Sequence, residues 1–230
     1  ANWKMTAGRL AIGALMFDAI ALHRYLDGGS DAVLIGHDWG GMTASALAAH
    51  ADSPFAKAVS MGVPFLPGFG KQVAGRVLRR MPRQARMSWY VMYQQLPWIS
   101  ERTLKRVIPR LWRDWCPPGY DARDDVAQLW EALPDLAHRK AAVMYYRHQM
   151  PIGKPAPQYR ALHQGWDTAL PRIPMLVLHG QLDGAIHVRL ATISAEALPA
   201  GTRHEIIPAA GHFMRLDQPE LIHRLITDYI

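Results

Sequence analysis

The sequence is short of the features that would mark several common classes of protein. It holds one cysteine, Cys116, so no internal disulfide can form. That residue sits in Trp115-Cys116-Pro117-Pro118, with no histidine or aspartate context assigned to it, and reads as structural. Such cysteine usage fits a reducing cytoplasm, which is the expected location. No apolar stretch reaches the ~18 residues of a membrane-spanning helix. No secretory leader, internal repeat or low-complexity tract is visible. Histidine is not scarce, but His23, His50, His138, His148, His163, His179, His187, His204 and His223 lack the paired spacing of metal ligands. No metal and no cofactor is therefore expected. Acidic residues are outnumbered, 19 against 26 Lys and Arg, for a net charge of +7. The excess gathers at Arg76, Arg79, Arg80, Arg83 and Arg86, then at Arg102, Lys105, Arg106, Arg110 and Arg113. Spacings of three and four put several of these on one helical face, which reads first as a solvated surface. The sharper readings are contact with an anionic membrane surface or with a partner domain. Nucleic acid is not expected, because no binding motif accompanies the charge. Nothing in the sequence speaks to oligomeric state.

What the sequence does have is Gly36-His37-Asp38-Trp39-Gly40-Gly41. It follows Ala32-Val33-Leu34-Ile35, an apolar run that reads as a buried strand, and precedes Met42 to Ala51, which reads as a helix. Strand, Gly-rich turn and helix form the context of a nucleophile elbow, in which G-x-Nuc-x-G lifts one side chain above a sheet. The glycines are expected where a side chain would collide with the tight strand-helix packing. The nucleophile position holds Asp38. A carboxylate is ionised at neutral pH without help, so it can attack a saturated carbon and keep the product as an alkyl ester. The competing reading of Asp38 is a helix N-cap.

Two further residues fall downstream in a telling order. Pro174 to His179 reads as a buried strand ending in the turn-rich Gly180-Gln181-Leu182-Asp183-Gly184. Glu205 to Pro208 reads as a short strand leading to Ala209-Ala210-Gly211-His212-Phe213, before a last helix near Gln218 to Ile230. Lys57 to Met61 is a strand after the elbow helix, and a helix spans roughly Ala7 to Leu26. Alone, Asp183 reads better as a turn residue and His212 as a loop or cap histidine. Nucleophile, acid and histidine, each after its own strand, carry weight together.

These residues resemble the α/β-hydrolase superfamily, in its epoxide hydrolase and haloalkane dehalogenase branch. The elbow G-H-D-W-G-G is common to both activities. Ser88 to Trp98 resembles the first cap segment of epoxide hydrolases, with Tyr90 on the first ring-opening tyrosine. Met144-Tyr145-Tyr146-Arg147 resembles the second, with Tyr146 in place. Tyr93 and Tyr145 each lie one helical step away and remain alternatives. The resemblance implies a mostly parallel sheet flanked by helices, with residues 1–63 and 171–230 forming the core and a helical cap inserted at 64–170. Pro-rich joints, including the loose stretch Met150 to Pro157, would connect cap and core.

For the chemistry, the resemblance implies Asp38 as nucleophile and Asp183 as the acid that orients His212, the general base. Tyr90 and Tyr146 would donate to the epoxide oxygen, and the backbone N–H of Trp39 to the oxyanion. Trp39, Trp89, Trp98 and Phe213 would line the pocket for a small lipophilic epoxide. In the dehalogenase alternative, Trp39 with Trp89 or Trp98 would bind the leaving halide. A noncatalytic ligand-binding fold is a third reading. The family's H-G-x-P motif and its early strands do not precede Asp38, where only Ala1 to Gly36 lie. The expectation is therefore an N-terminally truncated core, with an open edge at the elbow strand and weak or no turnover.

Overall fold

The structure is a computed structural model, and it describes residues 11–65, 82–149 and 155–230. Along the chain, helix α1 (Ile12–Tyr25) leads into strand β1 (Val33–His37), helix α2 (Trp39–Ala49) and strand β2 (Lys57–Met61). A helical stretch follows: α3 (Pro82–Met87), α4 (Trp89–Tyr93), α5 (Ile99–Trp115), α6 (Arg123–Ala132) and α7 (Leu136–Gln149). A 3-10 turn (Pro157–Tyr159) and α8 (Arg160–His163) return the chain to strand β3 (Met175–Gly180) and helix α9 (Val188–Ala195). Strand β4 (Arg203–Ile207) and helices α10 (Met214–Asp217) and α11 (Pro219–Thr227) complete the described chain. Among the described residues, no helix is long and apolar enough to cross a membrane.

The strands pair in parallel in the order β1-β2-β3-β4. A parallel strand covered on both faces is mostly apolar, and all six residues of β3 are buried, Met175 to Leu178 as an apolar run and His179 as a polar member. Its side chains alternate. Leu176 and Leu178 join Val59, Met61 and Ile207 beneath Met214 and Ile222, while Met175 and Val177 join Ala58 and Ala48 on the other face. The Ala-rich helix α2 lies close on β1 and β2 because small side chains permit it.

Strand β1 differs from the burial expected of its apolar run and agrees with the open edge expected at the elbow strand. The apolar run at Ala32 to Ile35 was expected to be buried, yet β1 lies at the sheet edge and Ile35 is 46% exposed. Apolar character shows that a strand is suited to burial; how many neighbours it has is set by the rest of the fold. Boundaries also shift. α2 begins at Trp39, three residues before Met42, because Gly40 and Gly41 join its first turn. The expected last helix is α11, with Pro219 at its first position where its missing N–H costs nothing, and the short α10 precedes it unforeseen. The start of the first helix at Ala7 falls outside the described residues, as does Met150 to Lys154 of the expected connection.

In α5, Leu104, Val107, Leu111, Trp112 and Trp115 face inward while Arg102, Lys105, Arg106, Arg110 and Arg113 are exposed. This is the amphipathic spacing of a surface helix. Arg76, Arg79 and Arg80 lie outside the described residues. Helix α5 is fastened to α7 by Arg147, which donates to Glu101 Oε1 (2.6 Å), Ser100 Oγ (2.8 Å), and the carbonyls of Gln94 (2.8 Å) and Leu96 (3.0 Å). Tyr90, Val107, Leu111 and Trp115 from these helices pack with Ala185, Ile186 and Phe213 from the loops after β3 and β4. The last part of the expected 64–170 insertion behaves differently. Leu162 and Trp166 pack with Ile12, Met16, Leu47 and Phe55 of the core, so this segment belongs with α1 and α2.

Candidate active site

One residue, Asp38, separates β1 from α2, and it takes φ 53°, ψ −118°. A non-glycine residue with positive φ costs on the order of 1 kcal/mol and persists only where its surroundings enforce it. The enforcement is steric. A Cβ on Gly36 would run into the backbone of Gly40 and Gly41, and a Cβ on Gly41 would lie 2.9 Å from the Met61 carbonyl. Gly40 faces open space, so only two of the three glycines are demanded by close packing, fewer than the motif suggests. The backbone N–H of Asp38 is held by the Met61 carbonyl at 3.0 Å. Asp38 does occupy the N-cap position of α2, but its side chain makes no cap hydrogen bond. The carboxylate is thus left to other work, 31% exposed above the sheet edge.

Asp183 and His212 hang from the C-terminal ends of β3 and β4, where open parallel sheets gather their binding groups. Asp183 Oδ1 accepts from the N–H groups of Ala185 (2.7 Å) and Ile186 (2.8 Å), so it does close its own turn. Its Oδ2 accepts from His212 Nδ1 at 2.9 Å. Because a carboxylate only accepts, His212 carries a proton on Nδ1. The far nitrogen, Nε2, is buried without a hydrogen-bond partner among the described residues and points at Asp38 Oδ2, 3.6 Å away. That separation exceeds a hydrogen bond and leaves an electrostatic contact.

The electrostatics follow from this arrangement. Burial alone would lower the pKa of His212, but the adjacent carboxylates of Asp183 and Asp38 outweigh it and raise the value to about 10. Burial pushes Asp183 upward, and His212 with His179 more than reverses it, so its pKa is lowered. At neutral pH the resting site is therefore an imidazolium between two carboxylates. Removing the charge on Asp38 withdraws part of what holds the proton on His212.

Above these groups sit the tyrosines. The rings of Tyr90 and Tyr146 meet edge to face, 5.7 Å apart at 90°, and Trp39 lies edge-on to Tyr146 at 5.5 Å. Burial raises the pKa of both phenols, and both feel the charge of Asp38, so both stay protonated donors. Their neighbours turn elsewhere. Tyr93 Oη pairs with Thr103 Oγ1 at 2.6 Å, and Tyr145 feels Asp18 rather than Asp38. Phe213 stacks on Trp112 at 4.2 Å and lies 5.3 Å from the His212 ring. Trp89 lies edge-on to Tyr93 at 5.7 Å with Arg110 over its ring at 4.5 Å. Trp98 must be removed from the expected pocket. It begins α5 with φ 70°, is 72% exposed, and stacks against Arg102.

Three residues that the sequence reading passed over take part. Trp115 stands edge-on to both Tyr90 (4.9 Å) and His212 (5.1 Å), and its carbonyl accepts the His212 N–H at 2.8 Å. It is the last residue of the buried stripe of α5, a periodicity visible in the sequence. His179 Nε2 donates to the Ile186 carbonyl at 3.0 Å and lies 3.6 Å from Asp183 Oδ2. His37, beside Asp38 in the motif, reaches the His212 carbonyl with Nε2 at 2.8 Å.

Epoxide hydrolase 3 of Xenopus tropicalis is 27% identical over 205 residues, 88% of this chain and 53% of that protein, so the chain spans about half the relative's length. A Klebsiella pneumoniae protein with a provisional epoxide hydrolase assignment superposes with a TM-score of 0.77 at 21% identity, over 99% of this chain and 75% of that one. A loop variant of a haloalkane dehalogenase from Bradyrhizobium elkanii superposes at 0.68 and 18%, over 98% and 75%. These two structures share the fold. A family model described as the alpha/beta hydrolase fold matches residues 22–219, and the chain belongs to that family.

Proposed function

We propose that this site opens a small lipophilic epoxide to a vicinal diol. The observation that carries the reading is the pair of phenols, Tyr90 buried and Tyr146 partly buried, crossed edge to face within the field of the Asp38 carboxylate. An epoxide oxygen departs as an alkoxide, a poor leaving group, and two neutral phenols suit its two lone pairs. The helices α3 to α7 act as the lid that presents them.

The reaction has two halves. In the first, Asp38 Oδ bonds to an epoxide carbon, the C–O bond breaks, and a tyrosine proton passes to the oxygen. Asp38 becomes a neutral ester, and His212 loses one of the charges that raised its pKa. In the second, the imidazolium first gives its Nε2 proton to the tyrosinate, and the freed Nε2 then takes a proton from water while the hydroxide oxygen attacks the ester carbonyl carbon. The Trp39 N–H steadies the oxyanion, the departing diol oxygen receives the proton from His212, and the Asp38 carboxyl then passes its own proton to Nε2, which restores the resting ion pair. Asp183 holds the imidazole in the required tautomer throughout.

The dehalogenase alternative draws less support. It needs a second indole N–H beside Trp39, and of the two expected candidates Trp98 is 72% exposed while Trp89 packs against Tyr93, which turns to Thr103. Mass spectrometry separates the readings. A His212→Gln chain incubated with styrene oxide should gain the whole mass of the epoxide on the peptide bearing Asp38, because ring opening expels nothing. With a haloalkane the gain would be the alkyl group alone, with halide set free. Alkylation by the haloalkane and none by the epoxide would overturn the proposal. Alkylation by neither would favour a noncatalytic fold.

A further inference from the structure

The charge of this chain is strongly segregated. From Ser53 to Arg113 the sequence holds twelve Lys and Arg residues and one acidic residue, Glu101. The remainder carries 14 basic and 18 acidic residues, so all of the positive excess lies in this stretch. Its single carboxylate is spent internally, since Glu101 is buried and paired with Arg147 at 2.6 Å. Nothing acidic in the stretch is left to neutralise Arg102, Lys105 and Arg106, which stand exposed along α5.

Beside those cations the turn from α4 to α5 does something unusual for a surface. Leu96, Pro97, Trp98 and Ile99 are four consecutive apolar residues, and all are exposed. Trp98 is 72% exposed, Ile99 51%, and Met92, one turn earlier, 66%. Runs of this kind are rare on a freely solvated surface and mark a contact. Trp98 also has φ 70°, a strained backbone for so bulky a residue, and this holds the indole outward against Arg102. Exposed aromatic and aliphatic side chains rimmed by Lys and Arg match a bilayer surface, where Trp settles at headgroup level and cations meet anionic lipid. Nucleic acid would use the charge but not Leu96, Trp98 and Ile99 together.

We propose that the turn Leu96–Ile99 and the adjoining cationic face of α5 dock this protein on an anionic phospholipid surface. The patch belongs to the lid helices, so docking places the lid against the bilayer. The contact itself does not depend on the epoxide reading and is tested separately from it.

Flotation of the whole chain with vesicles is the test. Vesicles of phosphatidylcholine with about three parts in ten phosphatidylserine should carry the protein upward at about 50 mM salt, and raising salt to about 500 mM should release it. Phosphatidylcholine alone should carry little. Replacing Arg102, Lys105 and Arg106 together by Gln should weaken partitioning about 100-fold, about five-fold per cation. Trp98→Ser with Ile99→Ser should weaken it about ten-fold on the same vesicles. Both variants change exposed residues, and circular dichroism confirms that they fold. Failure of the unaltered chain to float at low salt overturns the proposal. So does undiminished flotation of the Trp98→Ser, Ile99→Ser chain, which would mean attraction by charge elsewhere. A stable dimer lost in that variant would assign the patch to a second copy and would equally overturn it.

Discussion

The floor and the roof of this site are built on different principles. Asp38, Asp183 and His212 hang within a few residues of strand ends, where parallel hydrogen bonding fixes the backbone. Tyr90 and Tyr146 come from separate helices, α4 and α7, that meet through side chains alone. The floor is thus a backbone property, enforced by Gly36 and Gly41. The roof is a packing property, enforced by Trp115 and by the Arg147 fan. A backbone-held group tolerates change in its neighbours, whereas a packing-held group moves when its neighbours do.

The largest effect should come from the floor. Asp38→Asn should lower turnover by about 10⁴-fold or more, as removal of a nucleophile does. Because the Asp38 side chain caps nothing and loses only its charge contact with His212, the thermal midpoint should fall by no more than about 4 °C. A drop in stability matching the loss of activity would show that Asp38 is a structural residue after all.

The same distinction explains what could be read in the sequence. The three floor residues stand out because each follows an apolar run by a short turn, a relation that survives without knowledge of the rest of the fold. The exposure of Ile35 could not be read from its own apolar run, which points to burial; only the open edge expected at the elbow strand points to it. Trp98 and Trp115 illustrate the difficulty in the lid. Both are tryptophans at an end of α5, one 72% exposed and the other 7%. Only the arrival of His212 against the C-terminal end of the helix makes Trp115 part of the site. Tyr90 and Tyr93 are likewise separated by one contact, that of Tyr93 with Thr103.

Effects in the roof should be intermediate. Tyr146→Phe and Tyr90→Phe should each slow ester formation about 10²-fold, read as the rate of mass gain in a His212→Gln background. Equal rates in all variants would remove the phenols from the chemistry. Arg147→Met should leave Glu101 buried without its partner and cost about 3 kcal/mol in denaturant unfolding. If packing positions the roof, the same change should slow ester formation and spare ester hydrolysis. Equal slowing of both halves would deny the separation between floor and roof.

The floor also sets a pH signature. The pKa of His212 is raised from 6.5 to about 10 in the folded chain, so its ion pairs contribute fully below pH 6.5 and fade as pH climbs through about 10. Asp183, lowered from 3.8, contributes above that value and fades in acid below it. Stability measured across pH should therefore fall on the alkaline side, and the fall should flatten in His212→Asn. An alkaline slope unchanged in that variant would place the titrating group elsewhere.

The smallest effect is the sharpest discriminator, and it concerns His37. Burial and the charge of His212 push its pKa down to about 4, so its ring is neutral at pH 7. A carbonyl accepts only, so the Nε2 that meets the His212 oxygen at 2.8 Å carries the hydrogen. One residue thus ends the strand that leads to Asp38 and grips the loop that carries His212. A Cβ on Gly62 would lie 3.0 Å from His37 Nε2 and 3.3 Å from His212 Cε1, so little room exists for either ring to drift. Loss of this tether should shift Nε2 relative to the ester and leave Asp38 where Gly36 and Met61 hold it. His37→Ala should therefore slow ester hydrolysis about ten-fold with ester formation intact, so that the alkyl-enzyme accumulates in the steady state. His37→Gln keeps a neutral donor and should restore most of the rate. If His37→Ala slowed both halves alike, or Gln gave no rescue, the histidine would be serving the packing of the strand end, and floor and roof would be equally dependent on their neighbours.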